Sequence, residues 1–328
     1  MVSWPDPVRR RTAVLAEALG GCAERDAPLG ARTTYRVGGP AALLVEADDE
    51  AALAGVHRAL VAVGEPVPVV VVGQGSNMLV ADAGFGGLAV VLGAGLCTVA
   101  VEGSHLVAGG GAKLPVLARR SAAAGLRGFE WAVGVPGSVG GAVRMNAGGH
   151  GSDVAATLVR CRSFDLAAGD ARDEGPARLA LGYRRSALGP GEVVVRAEFA
   201  LAPGEATEAE ALVSEIVRWR RANQPGGSNA GSVFTNPPGD AAGRLVEAAG
   251  CKGLRIGTAH VSEKHANFIQ ADPGGAADDV RAVMEAVRSR VAERLGVTLR
   301  TEVRLVGFAD VPDPLVEARP STSTGGPR

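Results

Sequence analysis

Three glycine-rich loops hold the residues whose spacing best fits chemistry. The first, Gly73-Gln74-Gly75-Ser76-Asn77-Met78, follows a run of four valines. The second is AGGGAK at residues 108–113. The third covers residues 134–151 and holds Gly134, Gly137, Gly140, Gly141, Gly148, Gly149 and Gly151. Closely spaced small residues let successive backbone N–H groups approach a pyrophosphate without side-chain obstruction. Each loop, taken singly, also reads as a turn between strands. A stretch as long as 134–151 without periodicity is uncommon unless it is functional. The first loop opens like a dinucleotide fingerprint, but Met78 stands where the third glycine must allow close helix–strand packing. The second lacks the GK[ST] ending of a Walker A motif. Ser138 is not a hydrolase nucleophile, because Pro136 occupies the first glycine position of G-x-S-x-G. The loops therefore predict a site for a phosphate-bearing cofactor outside the Rossmann design.

Composition narrows the classes. The chain has 328 residues, with 34 basic and 35 acidic side chains. No basic excess exists to neutralise a phosphate backbone, so no nucleic-acid partner is expected. Lys113, Lys252 and Lys264 are the only lysines. Arg dominance together with Ala and Gly richness reads as codon bias. The 47 glycines are about twice the usual ~7% share. Cys22, Cys97, Cys161 and Cys251 are scattered, with no CxxC pair, so no metal site is expected. The N-terminus has no apolar run after its arginines, and no stretch reaches the ~20 apolar residues of a spanning helix. A cytoplasmic chain with no membrane partner is the expectation.

The spacing predicts helices at 7–20, 50–63, 113–125, 205–221, 240–249 and 277–295. Strands are expected at 67–72, 78–81, 88–92, 97–101, 106–108, 157–166, 193–201, 258–262, 266–270 and 299–306. The architecture reads as α+β, strand-rich to about residue 203 and mixed thereafter. Residues 1–28 read as an N-terminal helical segment. The Pro-, Ser-, Thr- and Gly-rich residues 311–328 read as a disordered tail. No coiled coil appears, so a monomer is expected.

Several blocks in register resemble the UDP-N-acetylenolpyruvoylglucosamine reductase family. They are Thr34-Tyr35-Arg36-Val37-Gly38-Gly39-Pro40, the loop at 73–77, and Gly134-x-Pro136-Gly137-Ser138-Val139-Gly140-Gly141 with Asn146-Ala147-Gly148. The likeness continues through Gly182-Tyr183-Arg184-x-Ser186, Ala230-Gly231-Ser232-Val233-Phe234-x-Asn236-Pro237, the run from Val261 to Phe268, and Glu302-Val303-Arg304. It spans about residues 30–307. The resemblance implies a vanillyl-alcohol-oxidase-type FAD-binding domain of two subdomains over 29–203, and a substrate-binding α+β domain over 204–310. It implies non-covalent FAD, NADPH as co-substrate, and a UDP-sugar enolpyruvyl ether reduced to UDP-N-acetylmuramate in bacterial peptidoglycan precursor synthesis.

Hydride addition to that ether builds negative charge on its carboxylate, which fixed donors must stabilise before carbon is protonated. By resemblance, Arg184 and Glu302 stabilise the charge and Ser232 donates the proton. Taken alone, Arg184 beside Arg185 reads as a solvated pair. Ser232 reads as a turn residue, and Glu302 between Arg300 and Arg304 as a surface ion-pair row. FAD contacts are carried to Arg36, Gly73, Gln74, Gly75, Ser76, Asn77, Met78, Gly134, Pro136, Gly137, Ser138, Gly140, Gly141, Asn146, Ala147 and Gly148. Substrate contacts are carried to Tyr183, Arg220, Lys264, His265, Asn267 and Arg304. Two departures stand out. Ser232 lies 48 positions after Arg184 with no Tyr between, which resembles the subgroup lacking a Tyr lid over the diphosphate. Thr235 replaces a Lys found in many members. A non-enzymatic flavin module and a covalent-flavin oxidase are the competing readings; only His150 lies near the loops as an attachment residue. Acid precipitation of the yellow protein separates them: flavin is expected in the supernatant, and flavin retained in the pellet means a covalent link.

Overall fold

The computed structural model describes residues 4–311. The sequence-predicted tail therefore falls almost wholly outside the described residues. The chain opens with α1 (Asp6–Leu19), β1 (Ala23–Ala27), β2 (Ala41–Ala47) and α2 (Glu50–Val63). Next come β3 (Val69–Val72), β4 (Met78–Val80), β5 (Phe85–Leu92), β6 (Val99–Glu102), β7 (His105–Gly109) and α3 (Leu114–Ala123). After β8 (Leu126–Arg127) the glycine-rich stretch contains α4 (Val139–Met145), β9 (Gly148–Gly149) and β10 (Ser152–Asp153). Then follow β11 (Leu158–Asp165), β12 (Asp170–Glu174), α5 (Pro176–Leu179), β13 (Glu192–Ala200), β14 (Ala202–Pro203) and α6 (Ala206–Asn223). The chain ends in α7 (Ala242–Ala248), β15 (Arg255–Ile256), β16 (Ala259–Val261), β17 (Ile269–Ala271), α8 (Ala277–Leu295) and β18 (Arg304–Val306).

Two sheets build the first part. Strands β1-β2-β5-β3 form one, with β2 and β3 both parallel to β5. Its valine-rich strands are buried on both faces: Val69, Leu88 and Val90 face one core, Val70, Val72 and Ala89 the other. That is why β3 reads as an unbroken apolar run and not as an alternation. The edge strand β1, within the expected helical segment, carries exposed Glu24, Arg25 and Asp26. Those charges blunt the open edge and erase the apolar signal that would reveal a strand. The second sheet, β12-β11-β13-β7-β6, is antiparallel throughout, with α3 and α4 against it.

The last part is a small antiparallel sheet, β15-β16-β17, under α8. The predicted stripe of α8 is its buried face: Val280, Val283, Met284, Val287 and Val291. Tyr35, Val37, Leu79 and Ala81 complete this core from the N-terminal third. By contrast α6, beyond the expected boundary at 204, buries Ala209, Val213 and Ile216 against the second lobe. Burying Val213 and Ile216 stabilises that docking by roughly 1.5–3 kcal/mol each. We propose the boundary between cofactor and substrate domains after α6, near residue 224. No helix among the described residues is long and apolar enough to cross a membrane.

Expectation and structure differ further: β2 and β12 fall outside the expected strands, and two other stretches take a different form. Residues 139–145 form a helix because Ser138 caps its start and Asn146 ends it in the left-handed region, at φ 39°; Gly140 and Gly141 hide its periodicity. Of the strand expected at 299–306, only 304–306 lies in a sheet. Residues 300–302 instead bond to the segment carrying Phe234.

One side chain joins the lobes at α8. Asp82 accepts from the Ala277 and Asp278 N–H groups at 3.0 and 2.9 Å, satisfying two orphan donors of the helix start. Asp82→Ala is expected to lower stability by about 1 kcal/mol, read as an earlier denaturant midpoint.

Candidate active site

A cavity of about 880 Å³ opens between the two sheets and the C-terminal domain. The loop Gly73–Met78 forms one wall; Pro136, Gly137, Ser138, Gly140, Gly141, Ala147 and Gly148 form another. The first loop is shaped by a close approach. Gly75 takes φ 59°, and a Cβ there would lie 2.6 Å from Thr33 Cα; its carbonyl accepts from Thr34 N–H at 3.1 Å. Only glycine fits that position. The Thr34–Pro40 block thus braces the loop from behind.

The chain tests its own fit for a flavin dinucleotide. The backbone N–H groups of Gln74, Gly75, Ser76 and Asn77 have no hydrogen-bond acceptor among the described residues. Arg144, Arg184, Arg220 and Arg304 line the same cavity, against only two acids, Glu192 and Glu302. Burial lowers the pKa of Arg220, and no carboxylate opposes it. Burial and then the Arg304 charge lower that of Arg144, against a smaller opposing pull from Glu192. Free amides in series and uncompensated cations fit a bound diphosphate.

Opposite the loop, three polar groups converge. Glu302 N–H donates to Val233 O at 2.7 Å, one residue beyond Ser232, and Thr235 N–H donates to Arg300 O at 2.9 Å. Asn77 Nδ2 donates to Glu302 O at 3.1 Å, and Arg304 N–H to Asn77 O at 2.9 Å. Arg184 Nε lies 3.0 Å from Glu302 Oε1, while its Nη2 donates to Gly148 O at 3.1 Å. The Nε contact is a close ion pair without hydrogen-bond alignment. Arg184 reaches it from a left-handed backbone, φ 55°. Ser232 and Thr235 line the cavity beside this pair. Burial pushes the Glu302 carboxyl upward and Arg184 pulls it down; burial wins.

Other expected site residues sit elsewhere. Asn267 is buried and grips Phe234, its Oδ1 accepting from Phe234 N–H at 3.0 Å and its Nδ2 donating to Phe234 O at 2.8 Å. It shapes the Ser232 segment without lining the cavity. Lys264 Nζ donates to Arg221 O at 2.5 Å, and the His265 ring packs on Phe268; neither lines the cavity. Asn146 spends its amide on Asp153, Gly182 and Ala155. Gly134 makes room for Arg220, whose Cδ lies 2.9 Å from where a Cβ would be. Arg36 and Tyr183 are exposed and outside the wall. Arg144, Glu192 and Gln224 do line it and escaped the sequence reading. A lone arginine among small residues at 139–151 was the available signal for Arg144.

A cavity edged by free amides and arginines, between two α/β lobes and a third domain, is that of an FAD-dependent oxidoreductase. An FAD binding domain model matches residues 41–172. The model for the UDP-N-acetylenolpyruvoylglucosamine reductase C-terminal domain matches residues 223–306. The reductase of Anaeromyxobacter sp. (strain Fw109-5) is 45% identical over 309 residues, 93% of this chain and 92% of that one. That of Rubrobacter xylanophilus is 45% identical over 295 residues, 89% and 97% of the two chains. The crystal structure of the Thermus caldophilus reductase matches with TM-score 0.75 and 36% identity, covering 87% of this chain and 98% of that one. The chain belongs to the UDP-N-acetylenolpyruvoylglucosamine reductase family.

The raised Glu302 pKa fixes a sign. Its carboxyl holds a proton to higher pH in the folded chain than in the unfolded one, where it titrates near ~4.3. Its stabilising contribution is full below that value and is lost as pH rises through the folded pKa. Wild-type stability relative to Glu302→Gln should therefore fall as pH rises from about 4 through the raised folded-state pKa. Denaturant midpoints across that range check it; a flat difference refutes it.

Proposed function

We propose that this chain performs its family's reaction, the NADPH-dependent reduction of UDP-N-acetyl-3-O-(1-carboxyvinyl)glucosamine to UDP-N-acetylmuramate for peptidoglycan precursors. The observation that carries the mechanism is the convergence of Ser232, Glu302 and Arg184 on one cavity that also holds the free-amide loop. Bound FAD supplies the hydride, taken from NADPH and passed to the β carbon of the ether. The amides at 74–77 and the walls at 136–141 and 147–148 would hold the FAD.

The remaining work falls to side chains. Arg184 and Glu302 meet the substrate carboxylate, where negative charge develops. Arg184 supplies fixed positive charge. Burial keeps a proton more readily on Glu302, which then donates a hydrogen bond to that carboxylate instead of repelling it. The Ser232 hydroxyl has no protein hydrogen-bond partner among the described residues, and its Oγ delivers the proton to the α carbon. Arg144, Arg220 and Arg304 balance the diphosphates of ligands in the cavity.

Lysine is absent at Thr235, whose hydroxyl donates to Arg300 O at 3.3 Å, and Arg304 and Arg220 are the cations that line the cavity in its stead. Residues 185–231 hold no Tyr and form β13, β14 and α6 in their ordered parts, which supports the subgroup without a Tyr lid. The exposed large apolar side chains are scattered over separate elements, which supports a monomer. A nucleotide-sugar substrate and four free thiols support a cytoplasmic site of action.

Substrate-dependent NADPH oxidation by the FAD-loaded chain tests the activity; no substrate-dependent rate overturns it. For the proton donor, Ser232→Ala should still let NADPH bleach the flavin while substrate reoxidises it at least a hundredfold more slowly, on the order of a lost general acid. Unchanged turnover removes Ser232 from that role.

A further inference from the structure

Next to Arg220 and Gly148 of the cavity wall stands an aromatic pair that the proposed reaction leaves unused. Trp219, in the last turn of α6, is 47% exposed, whereas Trp131 is buried. Consecutive helical residues project about 100° apart, so Trp219 and Arg220 point differently. Arg220 turns inward and lines the cavity, filling the space left by Gly134. Trp219 stays outside the lining, one residue from it and half exposed. The His150 ring stands against it, 5.0 Å between centroids and 86° between planes.

This contact is held from both sides. His150 sits at the tip of the β9–β10 hairpin in the left-handed region, φ 51°. The hairpin is anchored at its base by Arg184, which donates to Gly148 O. Burial and the nearby Arg220 charge both lower the His150 pKa, so the ring is held neutral and adds no charge to the rim. A braced indole thus stands one residue from a half-buried arginine with no carboxylate opposite it.

Such a pair has a chemical complement. A nucleobase offers a flat π face, and a diphosphate on its ribose brings the anion close by. We propose that Trp219, braced by His150, is the stacking platform for the base of a nucleoside diphosphate ligand whose diphosphate meets Arg220. The proposal rests on the reading that this cavity takes nucleotide substrates. FAD carries that chemistry too but is already seated in the loaded enzyme; of the exchangeable ligands the UDP-sugar and NADPH carry it, and they are separable by fragment.

The test uses FAD-loaded wild type, Trp219→Leu and Trp219→Phe. UDP is titrated in one arm and 2′-phospho-ADP-ribose in the other, with Kd from calorimetry and with tryptophan fluorescence. In one arm Trp219→Leu should weaken Kd about tenfold, the scale of one lost base–aromatic stack, and Trp219→Phe should recover most of it. The same nucleotide should quench wild-type fluorescence, and the quench should vanish in Trp219→Phe, which keeps Trp4 and Trp131. The arm that responds names the base. Kd values within twofold of wild type in both arms overturn the platform. If the same preparations still turn over substrate, the activity stands without it. If wild type neither turns over nor binds either nucleotide, both readings fall.

Discussion

The parallel pairing of β4 with β18 is the constraint on which the rest of this molecule depends. It sets Met78 against Arg304, Leu79 against Leu305 and Val80 against Val306. The amide-bearing loop ends where β4 begins, and Glu302 lies two residues before β18. Asn77 closes the junction, its side chain donating to Glu302 O and its carbonyl accepting from Arg304 N–H. The cofactor wall and the carboxyl are therefore fixed by one short stretch of backbone. A shift of one against the other would strain the ladder and the Asn77 bonds, which is how a loop site acquires the rigidity that preorganised catalysis needs.

Charge is distributed around that junction to favour anions. Arg144 and Arg220 sit half-buried, Arg220 with no carboxylate opposite it and Arg144 with only the weaker pull of Glu192, and burial lowers both pKa values. This arrangement costs stability, which the diphosphates proposed to bind there would offset. Arg184 is the exception, already engaged with Glu302 and Gly148. Its left-handed backbone is strain of the kind that accumulates where geometry is dictated by chemistry.

Much of the fold was legible because periodicity survives in amphipathic elements. The stripes of α2, α6 and α8 and the valine run of β3 mark the buried faces directly. Legibility failed where another demand overrode the pattern. Edge strand β1 hides behind the charges that protect it, and α4 behind two glycines. Glu302 shows the limit for the site. Its alternation with Arg300 and Arg304 resembles a surface row, yet its side chain is 15% exposed because the segment turns inward to meet Arg184. Asn267 shows the converse. A polar residue in a motif looks like a ligand contact, but spacing cannot tell a hand on the substrate from a grip on the backbone that carries Ser232.

The β4–β18 ladder also bears on how the chain is made. Among the described residues β4 has no strand partner other than β18, and the two meet across about 225 positions. A ribosome adding ~5–20 residues per second needs roughly 10–45 s to cover that span. Through that interval β4 and the buried Tyr35, Val37 and Leu79 await a core that does not yet exist. The nascent N-terminal lobe thus emerges with an unpaired apolar strand, and completion of the last lobe is also the step that closes the first. A contact of this separation raises the loop-closure cost that must be met before the pairing is rewarded.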